Sequence, residues 1–579
     1  MCTRIIYDET DESTDPLSPD NVLAIMNGPM GGTGVPCGGR VHAAAKSPLT
    51  GILGEGSVGG RISINFKRTG FDGIVITGCS DEPVYINITD DKVEILAADE
   101  LWGMDCFDTD KHLKEKHGKA TDSLYIGPAG ENLVRFASIM NSGLEGRTIG
   151  RCGLGAVMGS KKLKAISVNG TKRVPMADAD KTRESSVKWA KKIRSNTKPW
   201  LGDFGTAGGL DWTEEIGNLP IKNWMQGSFD ASRITGEQMA ETVLKKTYFC
   251  DQCVIGCGRV VEIKEGKYKS EAMGGPEYET MAMLGSNVLI GDIPPIQQSN
   301  MLCNKFGMDT ISAGAAISFG MEAYENGLFS DSQLGDVKIR WGEPGDVHTL
   351  LEMIAYKRGI GALLAEGVRI AAQTLGKFAP DLAVEVKGLE LPAHDPRAAD
   401  STGLQYATST RGACHLNSFT SSLVLSGATN GFGFMDMTEY DRFEADDKAI
   451  EIVYIHQHAM AQFDSMSICK FALFGLNENL TEAFLDWYKT TTGWDVTVEE
   501  WLETGERIFN LKRMYLNKCG ISRKDDVLPP RMNVRRRTGG AAENIPDVAG
   551  MLDRYYVKRG WDIYGIPTDE TLKRLDLTW

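Results

Sequence analysis

The sequence predicts an α+β protein with several domains: a β-rich N-terminal domain (residues 1–174) followed by two mainly α-helical domains (residues 175–390 and 391–579). A chain of 579 residues is too long for one hydrophobic core, because single domains usually hold about 50–200 residues. Before residue 170, short β-branched apolar runs alternate with glycine-rich stretches, which is typical of strands joined by turns. After Ala177, apolar residues recur at helical spacing.

The clearest predicted strands lie in the first domain. The run "GIVITG" (73–78) predicts a strand, and "PVYINITDDKVEILAA" (83–98) predicts a hairpin that turns at Thr89–Asp91. A third run, "LKAISVNG" (163–170), predicts a buried strand.

The later segments have helical signals. A charged helical pattern occupies "DADKTRESSVKWAKKIRS" (178–195). The stretch "IQQSNMLCNKFGMDTISAGAAISFGMEAYENG" (296–327) predicts helix with a break near Gly307.

Composition excludes several classes of function. A formal charge of −15 argues against nucleic acid or an anionic membrane as the main partner. No apolar run approaches the roughly 18 residues of a membrane helix, and the first residues lack the basic and apolar regions of a leader. We therefore expect a cytoplasmic protein without membrane insertion, whose twelve cysteines do not form a disulfide framework.

Three cysteines, Cys250, Cys253 and Cys257, form a compact metal-binding pattern in "CDQCVIGC". Thiolates suit zinc or an iron–sulfur cluster. A zinc site usually needs a second close pair of ligands, and none follows. A 4Fe–4S cluster can take its fourth ligand from a distant cysteine and is the favoured interpretation, ahead of zinc and of no metal. Spacing alone leaves four candidates for that ligand: Cys303, Cys414, Cys469 and Cys519.

The glycine-rich stretch "GPMGGTGVPCGGR" (28–40) has two interpretations. It lacks the Lys-Ser/Thr ending of a P-loop, so nucleoside triphosphate binding is not predicted. Glycine both makes tight turns and allows backbone amides to approach an anion. The second interpretation would involve the nearby arginines Arg40, Arg61 and Arg151.

Few residues stand out as candidate acids or bases. Glu277 and Glu279 alternate in "GGPEYET" and would face one side if that segment were extended, although solvated carboxylates are the simpler explanation. His394 and His415 lie in loop-like segments where a site is plausible. His456 and His458 lie in a helical pattern and are interpreted as structural. Cys303 is interpreted as a buried helical thiol.

A set of motifs along nearly the whole chain carries a resemblance: "DPLSPDN", "GPMGGTGVPCGGR", "KSPLTG", "GFDGIVITG", "IGPAGENLVRFASIMN", "GLGAVMGSKKLKAISVNG", "CDQCVIGC", "GPEYET", "NKFGMDTISAG", "RGACHL", "SICKF" and "RGWDIYGIPT". With these motifs the chain resembles one family, the tungsten-containing aldehyde:ferredoxin oxidoreductases. The resemblance implies that the β-rich N-terminal domain forms a base for the cofactor and that two helical domains close over it.

The resemblance implies roles for individual residues. It assigns a 4Fe–4S cluster to Cys250, Cys253, Cys257 and Cys469, the last ending "DSMSIC", where Ser467 and Ile468 replace the Gly-Leu of the family motif. Arg40 matches an arginine that bridges pterin and cluster. Glu279 and His415 match an acid and a histidine that flank the metal, with Glu277 the less favoured carboxylate.

Contacts to the pterin are implied as well. The motif "NKFGMD" supplies Asn304, where the family has an acid, and Asp309, and "DSMSIC" supplies Asp464 and Ile468. Ser57 stands where the family often has an asparagine that binds magnesium joining the pterin phosphates. Gly59 and Arg151 complete the expected cofactor-binding set.

The function implied by the resemblance is oxidation of aldehydes to carboxylic acids, or the reverse. The implied cofactors are tungsten or molybdenum on two pyranopterins, one 4Fe–4S cluster and magnesium. Ferredoxin or a ferredoxin-like subunit would take the electrons, a small aldehyde or acid would be the substrate, and a homodimer or hetero-oligomer is expected. The alternatives are a benzoyl-CoA-reductase-type reaction, an iron–sulfur electron carrier without pterin, and a zinc-stabilised binding module.

Overall fold

The computed structural model describes residues 1–536 and 538–578 and confirms the α+β class, with sheets in the N-terminal region and helices dominating the later part. The strands are β1 (Leu23–Asn27), β2 (Val41–Lys46), β3 (Leu53–Val58), β4 (Gly73–Ile76), β5 (Val84–Thr89), β6 (Val93–Ala97), β7 (Asp122–Tyr125), β8 (Met140–Asn141), β9 (Arg147–Thr148), β10 (Leu163–Asn169), β11 (Leu244–Tyr248), β12 (Gly258–Ile263), β13 (Ser270–Gly274), β14 (Glu385–Val386) and β15 (Leu389–Glu390).

The α-helices are α1 (Cys2–Glu9), α2 (Ile62–Arg68), α3 (Cys106–His117), α4 (Pro128–Glu131), α5 (Leu154–Ser160), α6 (Ala179–Thr197), α7 (Leu210–Glu215), α8 (Gly236–Thr242), α9 (Tyr278–Met283), α10 (Ile293–Phe306), α11 (Thr310–Glu325), α12 (Asp331–Leu334), α13 (Pro344–Ala355), α14 (Ile360–Leu364), α15 (Val368–Leu375), α16 (Ala379–Leu382), α17 (Asp400–Thr408), α18 (Thr420–Leu425), α19 (Asp447–Met466), α20 (Ala472–Leu476), α21 (Leu480–Thr492), α22 (Val498–Lys518), α23 (Val548–Arg559) and α24 (Asp569–Arg574). Within the described residues, none of these helices combines the length and apolar character needed to cross a membrane.

Two sheets build the N-terminal region. One has the strand order β3-β2-β1-β4 and is antiparallel. The other has the order β6-β5-β10-β7-β8-β9, with β10 parallel to β5. Their apolar side chains share one buried cluster, to which Leu23 and Ile25 contribute from the first sheet and Ile86, Leu124 and Ile166 from the second. Each fully buried aliphatic side chain of this kind contributes about 1.5–3 kcal/mol.

The predicted local elements are confirmed. Strands β5 and β6 form the expected hairpin, closed by a hydrogen bond from the Thr89 N–H to the Lys92 carbonyl at 2.9 Å. Strand β10 is almost fully buried, as predicted. The break near Gly307 separates α10 from α11, and Gly307 has a φ of 76°, a left-handed conformation that favours glycine. The domain boundaries near residues 174 and 390 stay predictions.

A buried ion pair ties the first sheet to the C-terminal helices. Lys512 Nζ on α22 lies 2.6 Å from Glu55 Oε1 on β3, and His42 Nε2 lies 3.4 Å from the other carboxylate oxygen. Although burial opposes ionisation, Lys512 and His42 hold the pKa of Glu55 well below its usual range. The pair therefore fixes the wall of the site described below to a helix from the other end of the chain.

Replacing Lys512 by methionine is expected to lower the free energy of unfolding by about 3–5 kcal/mol, because it leaves a buried carboxylate without its main partner. The matched control is Lys188→Met, which breaks the Lys188–Glu482 pair, whose side chains are both 57% exposed. That change should cost less than about 1 kcal/mol. Thermal unfolding followed by circular dichroism compares the two, and equal losses would contradict a stabilising role for the buried pair.

Candidate functional site

Two adjoining cavities lie where the N-terminal sheets meet the later helices. The smaller, of about 300 Å³, is here named the cofactor cavity, and the larger, of about 730 Å³, the cluster cavity. Their shared walls include Arg40, Arg147, Glu277, Glu279, His415 and Cys469. A group bound in either cavity would therefore contact side chains that also face the other.

The cluster cavity is lined by five cysteines from distant parts of the chain. Cys250, Cys253 and Cys257 lie on the loop between β11 and β12, Cys469 follows the end of α19, and Cys37 belongs to the glycine-rich segment 28–40. The other three candidates for the fourth ligand lie elsewhere: Cys303 is buried within α10, Cys414 accepts hydrogen bonds from Arg411, and Cys519 ends α22. Of the four candidates that spacing left open, only Cys469 lines this cavity, and its role as the fourth ligand stays a prediction.

The segment "DSMSIC" is held against the glycine-rich segment 28–40 by three hydrogen bonds. The Gly28 N–H donates to Ser467 Oγ at 2.6 Å, the Arg40 N–H donates to the Ser467 carbonyl at 3.3 Å, and the Cys469 N–H donates to the Cys37 carbonyl at 2.8 Å. Ser467 has a φ of 62°, the left-handed conformation that favours the glycine of the family motif. The hydrogen bond that its hydroxyl accepts offsets part of the energetic cost of this conformation.

The arrangement of the cysteine sulfurs bears on the choice between a zinc site and an iron–sulfur cluster. A tetrahedral zinc site, with Zn–S bonds of about 2.3 Å, holds its sulfurs roughly 3.8 Å apart. Among the described residues, the one group of three or more ligand atoms within 4.8 Å of one another is Glu279, His394 and His415. No group of three cysteines in the described part of the chain meets this criterion, which argues against a single zinc ion on these thiols. The 4Fe–4S cluster stays a prediction.

Arg40 stands between the two cavities and lines both. Its Nη1 donates to the Ser57 carbonyl at 2.9 Å, and its Nη2 donates to Cys469 Sγ at 3.6 Å. Burial opposes its charge, but the sulfurs of Cys469 and Cys250 raise the pKa of Arg40 above its usual range. The residue therefore keeps a positive charge beside the cysteine sulfurs, and its role as a bridge between pterin and cluster stays a prediction.

Glu279 and His415 meet at the junction of the cavities. The Ala393 N–H donates to Glu279 Oε2 at 2.8 Å, whereas Oε1 has no hydrogen-bond partner and lies 3.5 Å from His415 Nε2. Burial raises the pKa of Glu279 to about 7. Burial and the neighbouring His394 lower the pKa of His415 well below its usual range. Near neutral pH, the carboxyl group can therefore gain or lose a proton while His415 stays uncharged.

His394 completes this group, although the sequence motifs did not assign it a role. Its Nε2 lies 3.6 Å from Glu279 Oε1, and its ring stacks on Tyr278 with centroids 5.1 Å apart. Burial lowers the pKa of His394 to about 4, so the ring is neutral at pH 7. Asn218 Nδ2 lies 2.9 Å from His394 Nδ1 and donates to it. The ring proton is therefore on Nε2, the nitrogen that faces Glu279.

Glu277 has a different environment. The segment is not extended: α9 begins at Tyr278, so Glu277 precedes the helix and Glu279 lies in its first turn. Arg147 Nη1 pairs with Glu277 Oε1 at 2.7 Å, and Thr206 Oγ1 donates to the other oxygen at 2.6 Å. Glu277 is thus held by contacts within the protein, and its ranking behind Glu279 stays a prediction.

The residues predicted to contact the pterin all lie at the two cavities. Gly59 lines the cluster cavity, where a Cβ would stand 2.9 Å from Cys250 Sγ, and the others line the cofactor cavity: Ser57, Arg151, Asn304, Asp309, Asp464 and Ile468. Three of them are already engaged by the protein. Asp309 caps α11 and lies 3.4 Å from Arg151, and Arg151 also donates to the carbonyls of Ala413 and Glu390. Asp464 Oδ2 accepts a hydrogen bond from Lys470 Nζ at 2.9 Å.

Unpaired polar atoms in the cofactor cavity indicate a polar ligand. Buried side-chain atoms without a hydrogen-bond partner include Nε and Nη2 of Arg147, Nδ1 of His42, Oε2 of Glu55, Oε1 of Glu279 and Nδ1 of His415. Each lies on a residue that lines this cavity. Leaving a buried polar group unsatisfied costs about 1–3 kcal/mol. The cavity therefore suits a ligand rich in hydrogen-bond donors and acceptors, and a pyranopterin is such a ligand.

Sequence reasoning missed several of these residues. Arg147, His42 and Glu55 carry no motif signal, because their role depends on contacts between distant segments. His394 was singled out from its loop-like segment "LPAHDPR", but no role was assigned to it. His456 and His458 are buried within α19, in line with the structural interpretation.

The fold and site define an oxidoreductase in which a buried polar cofactor cavity adjoins a four-cysteine site. Comparison with family models gives the particular family. The model described as the aldehyde ferredoxin oxidoreductase N-terminal domain matches residues 1–170, and that for domains 2 and 3 matches residues 184–577. The chain belongs to the aldehyde ferredoxin oxidoreductase family.

Similar proteins agree with this assignment. The tungsten-containing aldehyde ferredoxin oxidoreductase of Thermococcus kodakarensis is 39% identical to this chain, and the match covers 97% of this chain and 91% of the relative. The protein of the same name from Pyrococcus furiosus is 38% identical, and the match covers 100% of this chain and 93% of the relative. An aliphatic sulfonate oxidoreductase WOR-like subunit of Pyrococcus furiosus is 31% identical, with 98% and 89% covered. Among solved structures, the active-site complex BamBC of benzoyl coenzyme A reductase has a TM-score of 0.85 over 99% of this chain and 92% of that one. At 23% identity, this likeness shows the fold alone.

Proposed function

We propose that this chain oxidises aldehydes to carboxylic acids at a tungsten bis-pyranopterin in the cofactor cavity. A 4Fe–4S cluster on Cys250, Cys253, Cys257 and Cys469 would carry electrons to ferredoxin. The observation that supports this most is the convergence of the four cysteines, Arg40 and the Glu279 group on two adjoining cavities. Magnesium between the pterin phosphates, near Ser57, and a cytoplasmic location belong to the same proposal.

The reaction balances with water as the oxygen donor: aldehyde and water give carboxylic acid, two protons and two electrons. When bound, the metal centre supplies a Lewis acid and a two-electron acceptor. Glu279 accepts a proton from the water as its oxygen adds to the carbonyl carbon. His415, neutral and without a partner at Nδ1, donates a hydrogen bond to the carbonyl oxygen as negative charge develops there.

His394 favours the ionised form of Glu279 that this step needs. Its Nε2–H faces Glu279 Oε1 at 3.6 Å, beside His415 Nε2 at 3.5 Å, and both Asn218 and Tyr278 fix the ring. A donor beside the carboxylate favours the ionised form that can act as a base. His394 is therefore a positioning residue for Glu279.

Activity is expected to rise with pH through about 7, because Glu279 must be ionised to accept a proton and burial raises its pKa to about 7.

His394→Phe removes the Nε2–H and should move the midpoint of the pH profile above 7 while the rate at high pH is largely retained. His394→Gln, which restores a donor, should move the midpoint back. A midpoint that stays unchanged in His394→Phe would contradict the positioning role.

Metal content with activity tests the proposed function. The chain is produced without oxygen in medium with tungstate, analysed for metals, and assayed on an aldehyde panel with a viologen acceptor. The proposal predicts about four irons and one tungsten per chain, together with carboxylic acid formation. Iron without tungsten would support an electron carrier, and zinc without a brown colour would support a binding module. Either result would overturn the proposal.

A further inference from the structure

An exposed cationic patch stands out on this acidic chain. Helix α6 and the π-helical turn after it (Lys198–Gly202) present three exposed cations, Lys191, Arg194 and Lys198, here named the cationic patch. Within the described residues none of the three forms an ion pair, whereas their neighbours Lys188 and Lys192 pair with Glu482 and Glu478. The net charge of the chain is −15, so this cluster of uncompensated positive charge differs in sign from the protein as a whole.

The cationic patch contacts the loop that carries Cys250, Cys253 and Cys257. Arg194 Nη1 donates to the Val254 carbonyl at 3.4 Å, and Val254 directly follows Cys253. The Arg194 guanidinium also lies 5.7 Å from the ring centroid of Phe249, which directly precedes Cys250. A protein that docks on the patch would therefore reach the cysteine loop at its outer surface.

Apolar side chains are exposed next to the cations. Phe249 is 43% exposed and Trp200 is 37% exposed. Trp200 packs edge-on against Phe474, with ring centroids 5.1 Å apart, and both rings line the cluster cavity. Aromatic and arginine side chains together are typical of protein interfaces. The patch thus has both the apolar contact surface and the charge that a transient partner uses.

A shallow recess lies within the cationic patch. Its volume is about 380 Å³, and its lining includes all three cations of the patch together with the carboxylate of Asp203. The three positive charges and one negative charge leave the recess with a net charge of +2. Because the chain as a whole carries a net charge of −15, a recess of opposite sign gives an acidic partner a local site of attraction.

We propose that the cationic patch is the docking surface for an acidic one-electron carrier protein of the ferredoxin type. This inference rests on the proposed function, because it needs electrons to leave through a cluster on the adjacent loop. Two electrons are released for each aldehyde oxidised, so a one-electron carrier must bind and depart twice in each turnover. Small electron-transfer interfaces with fast, charge-steered association meet that need.

Charge reversal in the holoenzyme tests the docking surface. In Lys191→Glu/Lys198→Glu, the KM for an acidic 4Fe–4S ferredoxin and its Kd by calorimetry should both rise by about tenfold or more, and the salt dependence of ferredoxin reduction should weaken. Aldehyde oxidation with benzyl viologen and the iron content should stay unchanged, because a small acceptor needs no docking surface. Arg194 is left intact, since its contact with Val254 supports the cysteine loop.

The matched control reverses two charges at the start of the same helix, Lys181→Glu/Arg183→Glu. Both residues are exposed. They lie roughly 12 Å or more along the helix axis from the patch, which exceeds the Debye length of about 8 Å at physiological salt. This control should leave the ferredoxin KM near the wild-type value.

The outcomes separate the docking surface from the proposed function. Equal ferredoxin KM and Kd in the patch variant and the control would overturn the docking surface, while viologen-linked oxidation would still support the proposed function. If the wild-type chain oxidised no aldehyde with viologen, the proposed function would fail, and the Kd measurement would still decide whether the patch binds ferredoxin.

Discussion

Replacing Glu279 by glutamine is expected to lower kcat for aldehyde oxidation by about 10²–10⁴-fold, the usual contribution of a positioned general base. Glutamine keeps the size of the side chain and can still accept from the Ala393 N–H at its oxygen. It cannot take a proton from water, so the pH dependence near 7 should disappear together with the rate. Steady-state kinetics across pH, at matched tungsten and iron content, measure the effect.

The control for this prediction is Glu277→Gln in the same cavity. Glu277 is paired with Arg147 and accepts from Thr206, so its loss should loosen the cavity wall and reduce cofactor retention. The activity of Glu277→Gln, divided by its tungsten content, should keep the pH profile of the wild type. Full activity of Glu279→Gln with the metal retained would remove Glu279 from the mechanism.

Replacing Cys469 by serine is expected to disrupt the cluster. Only Cys469 among the four candidate thiols lines the cluster cavity with Cys250, Cys253 and Cys257. Its loss removes one corner ligand, so the iron content should fall from about four per chain to three or fewer. Electron paramagnetic resonance of the reduced protein should lose the 4Fe–4S signal, and electron transfer to ferredoxin should stop.

Cys519→Ser is the matched control. Cys519 is partly buried and packs with the cluster of residues around Tyr515, away from the cavity. Iron content and the resonance signal should therefore match the wild type. If Cys519→Ser lost iron and Cys469→Ser did not, the ligand assignment would be wrong.

Local elements of the fold were predictable because their signals are local. The β5–β6 hairpin follows from alternating apolar residues around a polar turn, and the break at Gly307 follows from a glycine that can adopt a positive φ. Strand β10 was predicted as buried, but its place between β5 and β7 was not. Strand pairing depends on which distant segments meet, and composition near one strand does not specify its neighbours.

The site was predictable to the extent that residue types within short motifs restrict the chemistry. The pattern Cys-x2-Cys-x3-Cys indicated a metal site, and motif resemblance pointed to Glu279 and His415. The alternation of Glu277 and Glu279 suggested a shared face in an extended segment. The structure instead gives a helix that starts at Tyr278 and two different environments for the carboxylates.

From the sequence alone came the cysteine pattern of one loop, the positions of the main local elements, and the family to which the chain is similar. The three-dimensional structure added that Cys469 lines the same cavity as that loop, where Arg40 lies, and why Glu279 has a raised pKa. It also brought His394 to Glu279 and Arg194 to the cysteine loop. The physical reason is that ligand sets, pKa shifts and surface charge depend on distances and burial between residues far apart in the chain.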